Sequence, residues 1–366
     1  MQALAIYAGP AARRHLENYG LSPSDVRVIP AAAGGPKGLI LLPLDRFLFG
    51  RWLSAASTRV DLVGASIGAW RLAAACFDNP AQALRDLERR YIQQRYEVPP
   101  GRKRPTPEHV SERFAEALAL MFGPYLGKVV AHPRYRLHIV TTRGRGLLAR
   151  EARLRTRLGY AAAALSNALS RHALDHWLER VVFSSEASAL PFAADGFRTR
   201  RYPLTEVNLL SVLQASCAIP FVLTAVREIP GAKPGAYWDG GLTDYHLHLD
   251  YRPACAPRAE GERGGVVLYP HFQRAVVPGW LDKPWRWRHR ATAFLDTTLL
   301  LAPRPEWVAT LPHGKLPDRS DFLRYGQDTA ARVAAWTHAV RAAEQLADEF
   351  AEWLERGTPL DQVATL

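Results

Sequence analysis

The stretch that decides the fold is VDLVGASIGAW at residues 60–70. Residues 60–63 form a short, mainly apolar run that is typical of a buried strand, and residues 69–77 predict a helix that ends before Asn79-Pro80. Between them lies Gly-Ala-Ser-Ile-Gly, a match to G-x-S-x-G, in which a serine on a tight strand-to-helix turn exposes its hydroxyl above a sheet. The pattern therefore predicts Ser66 as a nucleophile. A plain turn with glycines for packing is the alternative.

A second unit of the same kind lies upstream. Residues 26–32 predict a buried strand, residues 34–38 (GGPKG) interrupt it, and residues 39–49 predict a helix. Two consecutive strand-loop-helix units indicate a parallel sheet with helices on its faces. In such sheets, ligands bind at the loops that follow the strands.

The glycine-rich turn at residues 34–38 exposes backbone N–H groups without side-chain obstruction. Acyl transfer needs such donors for the oxyanion of its tetrahedral intermediate. The turn lacks the glycine spacing of a P-loop or a dinucleotide-binding fold, so phosphate binding is the weaker interpretation. Pro36 supplies no N–H, which leaves its neighbours as donors.

The candidate base is Asp239 in Trp-Asp-Gly-Gly at residues 238–241, because a serine hydroxyl needs a proton acceptor to become a useful nucleophile. A Ser-His-Asp triad remains open as an alternative, since triads are defined by geometry and not by chain order. Its candidate histidines all follow Asp239 and are His246, His248, His271, His289, His313 and His338.

These segments, in this order, resemble the patatin-like phospholipase family. The resemblance implies a three-layer α/β/α sandwich with a mostly parallel central sheet, and a Ser-Asp dyad that cleaves acyl esters of lipids through an acyl-enzyme. It also implies an oxyanion hole built from the N–H groups of Gly34, Gly35, Lys37 and Ile67. The motif glycines that it implies are Gly38, Gly64, Gly68, Gly240 and Gly241. Residues 215–220 (ASCAIP) are similar to a family segment of small residues and proline, whereas Ala33 stands where the family's oxyanion loop usually has a further glycine.

The sequence contains no internal repeat and no low-complexity linker that would divide it. We therefore expect one domain over residues 1–366. Its motif-bearing part covers about residues 26–245, and residues 270–366 are expected to form a helical extension packed on that part. A single long amphipathic helix is expected at residues 329–355.

Composition indicates a soluble globular protein, with 48% apolar and 22% charged residues. Residues 209–226 are the longest near-apolar stretch, but polar residues and Pro220 interrupt it, so no transmembrane helix is expected. The first residues do not resemble a secretory signal, and the prediction is a cytoplasmic protein. Cys76, Cys217 and Cys255 are expected to be reduced thiols.

A formal net charge of +12 predicts attraction to anionic surfaces, either phospholipid or nucleic acid. Trp280, Trp285 and Trp287 alternate with Lys283, Arg286 and Arg288, which suits contact with an anionic membrane or stacking and phosphate contacts with a nucleic acid. Tryptophans buried in the core, with solvated cations between them, are the favoured interpretation.

We expect a lipid or other acyl-ester substrate, no cofactor and no nucleic-acid partner. No metal is expected either, although His246 and His248 alternate with Asp244 and Asp250. Two other functions stay open, an esterase or thioesterase on small soluble esters and a non-catalytic binder of anionic lipid or nucleic acid. The oligomeric state is not predicted.

Overall fold

The computed structural model describes residues 1–102, 104–186, 189–257, 259 and 261–366. Within these ranges, ten strands form one sheet. The strands are β1 (Leu4–Ala8), β2 (Val26–Ala31), β3 (Val60–Ala65), β4 (Tyr135–Gly144), β5 (Leu178–Ser184), β6 (Thr199–Pro203), β7 (Tyr237–Asp239), β8 (Val266–Pro270), β9 (Thr298–Pro303) and β10 (Val363–Thr365).

The central sheet is mostly parallel. Its strand order is β10-β1-β9-β8-β2-β3-β4-β5-β6, and β7 pairs with β4. The antiparallel pairs are β1 with β9, β4 with β5 and β4 with β7. The neighbours on both sides of β2 and β3 are parallel, which confirms the predicted parallel sheet around the Ser66 turn.

Helices flank the sheet. They are α1 (Pro10–Tyr19), α2 (Leu42–Phe47), α3 (Ile67–Ala75), α4 (Pro80–Gln93), α5 (Pro107–Phe122), α6 (Leu126–Val130), α7 (Arg153–Leu169), α8 (Leu209–Ser216), α9 (Gly241–Asp244), α10 (Arg252–Cys255), α11 (Pro305–Val308), α12 (Ser320–Tyr325), α13 (Thr329–Ala342) and α14 (Glu344–Glu355).

The central strands β2, β3, β5, β8 and β9 are buried on both faces, and alternate residues enter different cores. Leu62 of β3 packs in the core that includes α2, α3, α4 and α14, whereas its neighbour Val63 packs in a second core on the opposite face. Because successive side chains of a strand point to opposite faces, the sheet lies between two packed layers. This arrangement confirms the expected three-layer α/β/α sandwich.

Several elements differ from expectation. Residues 270–366 are only partly helical, because this segment also supplies β9 and β10 to the sheet. The expected helix at residues 329–355 is two helices separated at Ala343. The helix expected at residues 39–49 is preceded by a 3₁₀ segment, Gly35–Leu41, before α2 begins at Leu42.

One detail of the topology positions the candidate site. Parallel strand β3 ends at Ala65, which pairs with Val140 of β4. The next residue of β4, Thr141, pairs with Asp239 of the antiparallel strand β7. Strands β3 and β7 therefore pair with successive parts of β4 and run toward each other. Their carboxyl-terminal ends meet there, which makes Ser66 and Asp239 neighbours.

Candidate active site

Ser66 lies on a strained turn at the start of α3. Its backbone has φ 56° and ψ −130°, a conformation that L side chains rarely adopt. The Ser66 N–H donates to Ser216 Oγ at 2.9 Å, and that hydroxyl donates to the Val140 carbonyl at 2.7 Å. These buried bonds tie the strained residue to α8 and β4, and strained residues persist only where their surroundings hold them.

The glycines beside Ser66 permit close backbone contacts. A β-carbon at Gly68 would lie 1.9 Å from the Ala31 carbonyl oxygen at the end of β2. A β-carbon at Gly64 would lie 2.6 Å from Ala69 Cα. Both positions are closed to any side chain, so the spacing of G-x-S-x-G follows from how tightly α3 starts against β2 and β3.

Asp239 accepts a hydrogen bond from the Ser66 hydroxyl. Ser66 Oγ donates to Asp239 Oδ2 at 2.7 Å, and the Gly241 N–H donates to Asp239 Oδ1 at 2.7 Å. Ser66 is 3% exposed and Asp239 is 6% exposed. A dry hydroxyl-carboxylate pair of this kind can transfer a proton from the hydroxyl to the carboxylate.

Burial raises the pKa of Asp239 above that of an ordinary aspartate. Four groups oppose this rise in the pKa. In decreasing order of effect they are the hydrogen bond from Ser66, the positive charge of Arg319, the Gly241 N–H and the charge of Lys283. The outcome is a carboxylate that is more basic than one in water, because low polarity disfavours its charged form.

The glycine-rich turn packs beside the Ser66 turn. A β-carbon at Gly38 would lie 3.0 Å from Cγ2 of Ile67, which brings the 3₁₀ segment against the start of α3. Gly35 has φ 55°, in the left-handed region that favours glycine. Gly34 and Gly35 lie at the start of the 3₁₀ segment and Ile67 is the first residue of α3; among the described residues, their N–H groups have no backbone acceptor outside these segments. They are therefore available to a ligand, together with the helix dipole of α3.

Lys37 is half-buried, with its ammonium 5.2 Å from the ring centroid of Phe272. Burial lowers the pKa of Lys37. The same Phe272 ring lies beside Gly34, where a β-carbon would come within 2.7 Å of it. The Phe272 ring therefore packs against the glycine-rich turn at Gly34 and Lys37.

The Asp-Gly-Gly segment closes against the same turn. A β-carbon at Gly241 would lie 2.7 Å from the β-carbon of Ala33, and the Ala33 N–H donates to the Tyr245 carbonyl at 3.0 Å. A β-carbon at Gly240 would lie 2.1 Å from the Val140 carbonyl oxygen. Chain segments around residues 34, 66 and 240 therefore meet at one point.

Three residues at the site have no individual signal in the sequence analysis. Arg319 lies beside the glycine-rich turn, since a β-carbon at Gly35 would come within 3.2 Å of its Nε. Cys217 contacts the Ser66 side chain, and burial together with the Asp239 charge raises the pKa of its thiol, which keeps it protonated. Ser216 and Cys217 belong to the ASCAIP segment, which was the one available clue. No local pattern marks Arg319.

The histidines after Asp239 have other partners in the described structure. His246 Nδ1 accepts the Val277 N–H at 2.9 Å, and His271 Nδ1 is 2.5 Å from the Gln273 carbonyl oxygen. His248 and His313 are hydrogen-bonded to Thr292 and Tyr325, His289 to the Asp282 carbonyl, and His338 is exposed. The partner of the Ser66 hydroxyl is Asp239.

Asp244 and Asp250, which alternate with His246 and His248, form ion pairs with Arg180 and Arg252. Across the described ranges, no group of three or more His, Cys, Asp and Glu side chains is placed to hold a metal ion. All three cysteines are buried and free of disulfides.

The expectation of core tryptophans at residues 280–287 is wrong, because Trp285 is only partly buried and the other two are exposed. Trp280 is 38% exposed and Trp287 is 59% exposed, because the segment runs over the surface as short 3₁₀ turns. None of the helices in the described ranges is both long enough and apolar enough to cross a membrane.

Comparison with known proteins gives one family match. The model of the family described as patatin-like phospholipase matches residues 51–246, which is more than half of the chain. A search of curated proteins by sequence gives no match.

The similar solved structures include the following two. Human GIVD cytosolic phospholipase A2 is 12% identical, with a TM-score of 0.41, over 96% of this chain and 63% of that chain. VipD from Legionella pneumophila is 14% identical, with a TM-score of 0.31, over 89% of this chain and 67% of that chain. The present chain thus spans less than two thirds of the length of the human protein.

Proposed function

The chain belongs to the patatin-like phospholipase family, and from this membership we propose that it is a serine acyl hydrolase that cleaves carboxylic esters of lipids with a Ser-Asp dyad. The observation that carries the proposal is the buried 2.7 Å hydrogen bond from Ser66 Oγ to Asp239 Oδ2. A strained, immobilised serine paired with a buried carboxylate has the geometry of an activated nucleophile.

In the first half-reaction, Ser66 Oγ attacks the ester carbonyl while Asp239 accepts the hydroxyl proton. The N–H groups of Ile67, Gly34 and Gly35 stabilise the oxyanion of the tetrahedral intermediate, with the Lys37 N–H as the remaining donor of the turn. Donors that are already oriented stabilise this charge without reorganisation. The bond from the carbonyl carbon to the leaving oxygen then breaks, and Asp239 gives the proton to the departing alcohol.

In the second half-reaction, a water molecule attacks the acyl-Ser66 ester and gives a proton to Asp239. Collapse of the second intermediate releases the carboxylic acid, and the proton returns from Asp239 to Ser66 Oγ. The raised pKa of Asp239 suits both steps, because an acid-base group works best when its pKa approaches the working pH.

Positive charges support the choice of a lipid with an anionic headgroup. Arg319 and Lys283 both act on the Asp239 carboxyl, and Lys37 lies on the glycine-rich turn. Cations at this position would attract a phosphodiester that lies near the scissile ester. A small soluble ester or thioester needs no such cations, and it remains the second candidate substrate because Ser66 and Asp239 would treat its carbonyl in the same way.

The proposal is tested with a fluorophosphonate probe and with two substrates. Wild type is expected to label at Ser66, whereas Ser66→Ala is expected to show no labelling. Asp239→Asn is expected to label at least about 100-fold more slowly, since general-base assistance is worth about 100- to 10,000-fold. His248→Ala, at a histidine bonded to Thr292, is the matched control and should label normally.

The outcomes separate the alternatives. A histidine variant that labels as poorly as Asp239→Asn would replace the dyad with a triad. Failure of folded wild type to label would favour a non-catalytic binder. Fatty-acid release from phospholipid vesicles is compared with hydrolysis of a short soluble ester, and activity on the soluble ester alone would exclude the lipid substrate.

A further inference from the structure

Helix α7 carries a row of exposed leucines on its outer face. Leu154, Leu158, Leu165 and Leu169 are 69%, 55%, 71% and 90% exposed. At about 100° per residue, these four positions fall within an arc of about 60° on the helix surface. Exposed leucines occur singly on most soluble proteins, but a continuous row on one helix marks an interaction surface.

All the charged residues of α7 are positively charged. The sequence of α7, RLRTRLGYAAAALSNAL, contains arginines and no acidic residue. Arg155 and Arg157 are exposed, and Arg150 just before the helix is also exposed. A helix with one apolar face and flanking arginines suits the surface of a bilayer that contains anionic lipid.

The opposite face of α7 packs on the candidate active site. Tyr160 and Ala163 belong to the same buried cluster as Trp238 and Leu242, which lie on either side of Asp239. The Tyr160 ring is 6.2 Å from the Trp238 ring, and the Asp239 charge contributes to the raised pKa of Tyr160. One helix thus joins the leucine row to the site.

Two further exposed apolar side chains lie on segments that contact α7. Phe221 is 55% exposed, and its ring is 5.9 Å from that of Tyr160. Trp287 belongs to the segment that α7 holds through Asn167, whose side-chain amide donates to Asp282 at 2.9 Å. Asp282 also accepts Arg288 at 2.7 Å, next to Trp287.

We propose that the outer face of α7, together with Phe221 and Trp287, binds the surface of an anionic phospholipid bilayer. The leucines enter the acyl boundary and the arginines contact the headgroups, while the opposite face of the same helix packs beside the candidate active site. This inference rests on the proposed function for its purpose, although binding itself is independent of catalysis.

The test measures sedimentation with vesicles made of equal parts phosphatidylcholine and phosphatidylglycerol, and with vesicles of phosphatidylcholine alone. The double variant Leu158→Ser/Leu165→Ser is expected to bind the mixed vesicles about tenfold more weakly or worse, since each buried CH₂ contributes substantially to membrane affinity. The matched control is Leu120→Ser, at a leucine of α5 that is 67% exposed, and it should bind like wild type. Wild type should bind the neutral vesicles more weakly, and added salt should weaken its binding to the mixed vesicles.

Thermal midpoints establish that the variants are folded, and light scattering gives the oligomeric state. Equal vesicle binding by wild type and the folded double variant would overturn the proposal. So would a wild-type dimer that becomes a monomer in the double variant, because the row would then bind a second copy of the chain. If wild type binds the vesicles but Ser66 is not labelled, the proposed catalytic function is contradicted. The proposed membrane-binding surface is then still supported.

Discussion

Arg319 acts on the pKa of Asp239, although it lies far along the chain from both site motifs. Burial raises the pKa of Asp239, and the Arg319 charge opposes that rise. We predict that Arg319→Gln raises the pKa of Asp239 further, because a nearby cation stabilises the carboxylate form. Only the ionised carboxylate can act as base, so activity in the variant should be lost at a higher pH as the solution is acidified.

The measurement is the pH profile of kcat/KM on a soluble ester, where the acid limb should move to higher pH in Arg319→Gln. Arg319→Lys keeps the positive charge and is expected to restore most of the wild-type profile. A uniform loss of rate with an unmoved acid limb would show that Arg319 acts by packing beside Gly35 and not through its charge.

At the scale of single elements, the close contact between α3 and β2 leads to a prediction at Gly68. A β-carbon there would lie 1.9 Å from a backbone oxygen, which no side-chain rotation can relieve. We expect Gly68→Ala to lower the free energy of unfolding by about 3 kcal/mol or more, at the upper end of overpacking costs. It should also abolish Ser66 labelling, because α3 must move away from β2.

Gly123 provides the matched control for Gly68. It has φ −51° and ψ −44°, and a β-carbon there would meet no atom within 4 Å. Gly123→Ala is therefore expected to be neutral or to stabilise the protein by up to about 1 kcal/mol, through a less flexible unfolded chain. Urea unfolding measures the free energy of unfolding of both variants and of wild type. An equal free energy for Gly68→Ala and wild type would contradict the close contact at Gly68.

The elements that surround Ser66 could be predicted because their signals are local. An apolar run, two glycines at fixed spacing and a following helix determine β3, the turn and α3 together. Strands β1, β9 and β10 were not predicted. Each is a short run whose identity as a strand depends on partners far away in sequence, such as Ile6 with Leu301 and Val363. Local propensity does not encode such pairing.

The same reasoning explains what was missed in the candidate site. Ser66 and Asp239 sit within recognisable motifs, but their juxtaposition follows from the antiparallel register of β7 on β4, which no short pattern specifies. Arg319 belongs to a chain rich in arginine, so its residue type carries no information. Its role depends on the fold that brings the C-terminal segment to the glycine-rich turn.

At the scale of the whole molecule, the single domain expected from the sequence stays a prediction, and the packing provides a way to test it. The largest apolar core joins Trp70 of α3 with Trp336 of α13 and Trp353 of α14. Strand β1, near the start of the chain, lies between β10 and β9 from its last part. We therefore propose that the motif-bearing part and the C-terminal part unfold together.

Trp353→Ala tests this cooperativity, because Trp353 is 2% exposed and lies in the C-terminal helix α14. Removing a buried tryptophan costs about 3–5 kcal/mol. In one cooperative domain, this loss should lower the temperature at which far-UV circular dichroism changes, and Ser66 labelling should disappear at the same lowered temperature. A second, unshifted transition that retains labelling would mean that residues 270–366 form a separate unit. Coincident shifts would mean that the core under α14 holds Ser66 and Asp239 in place.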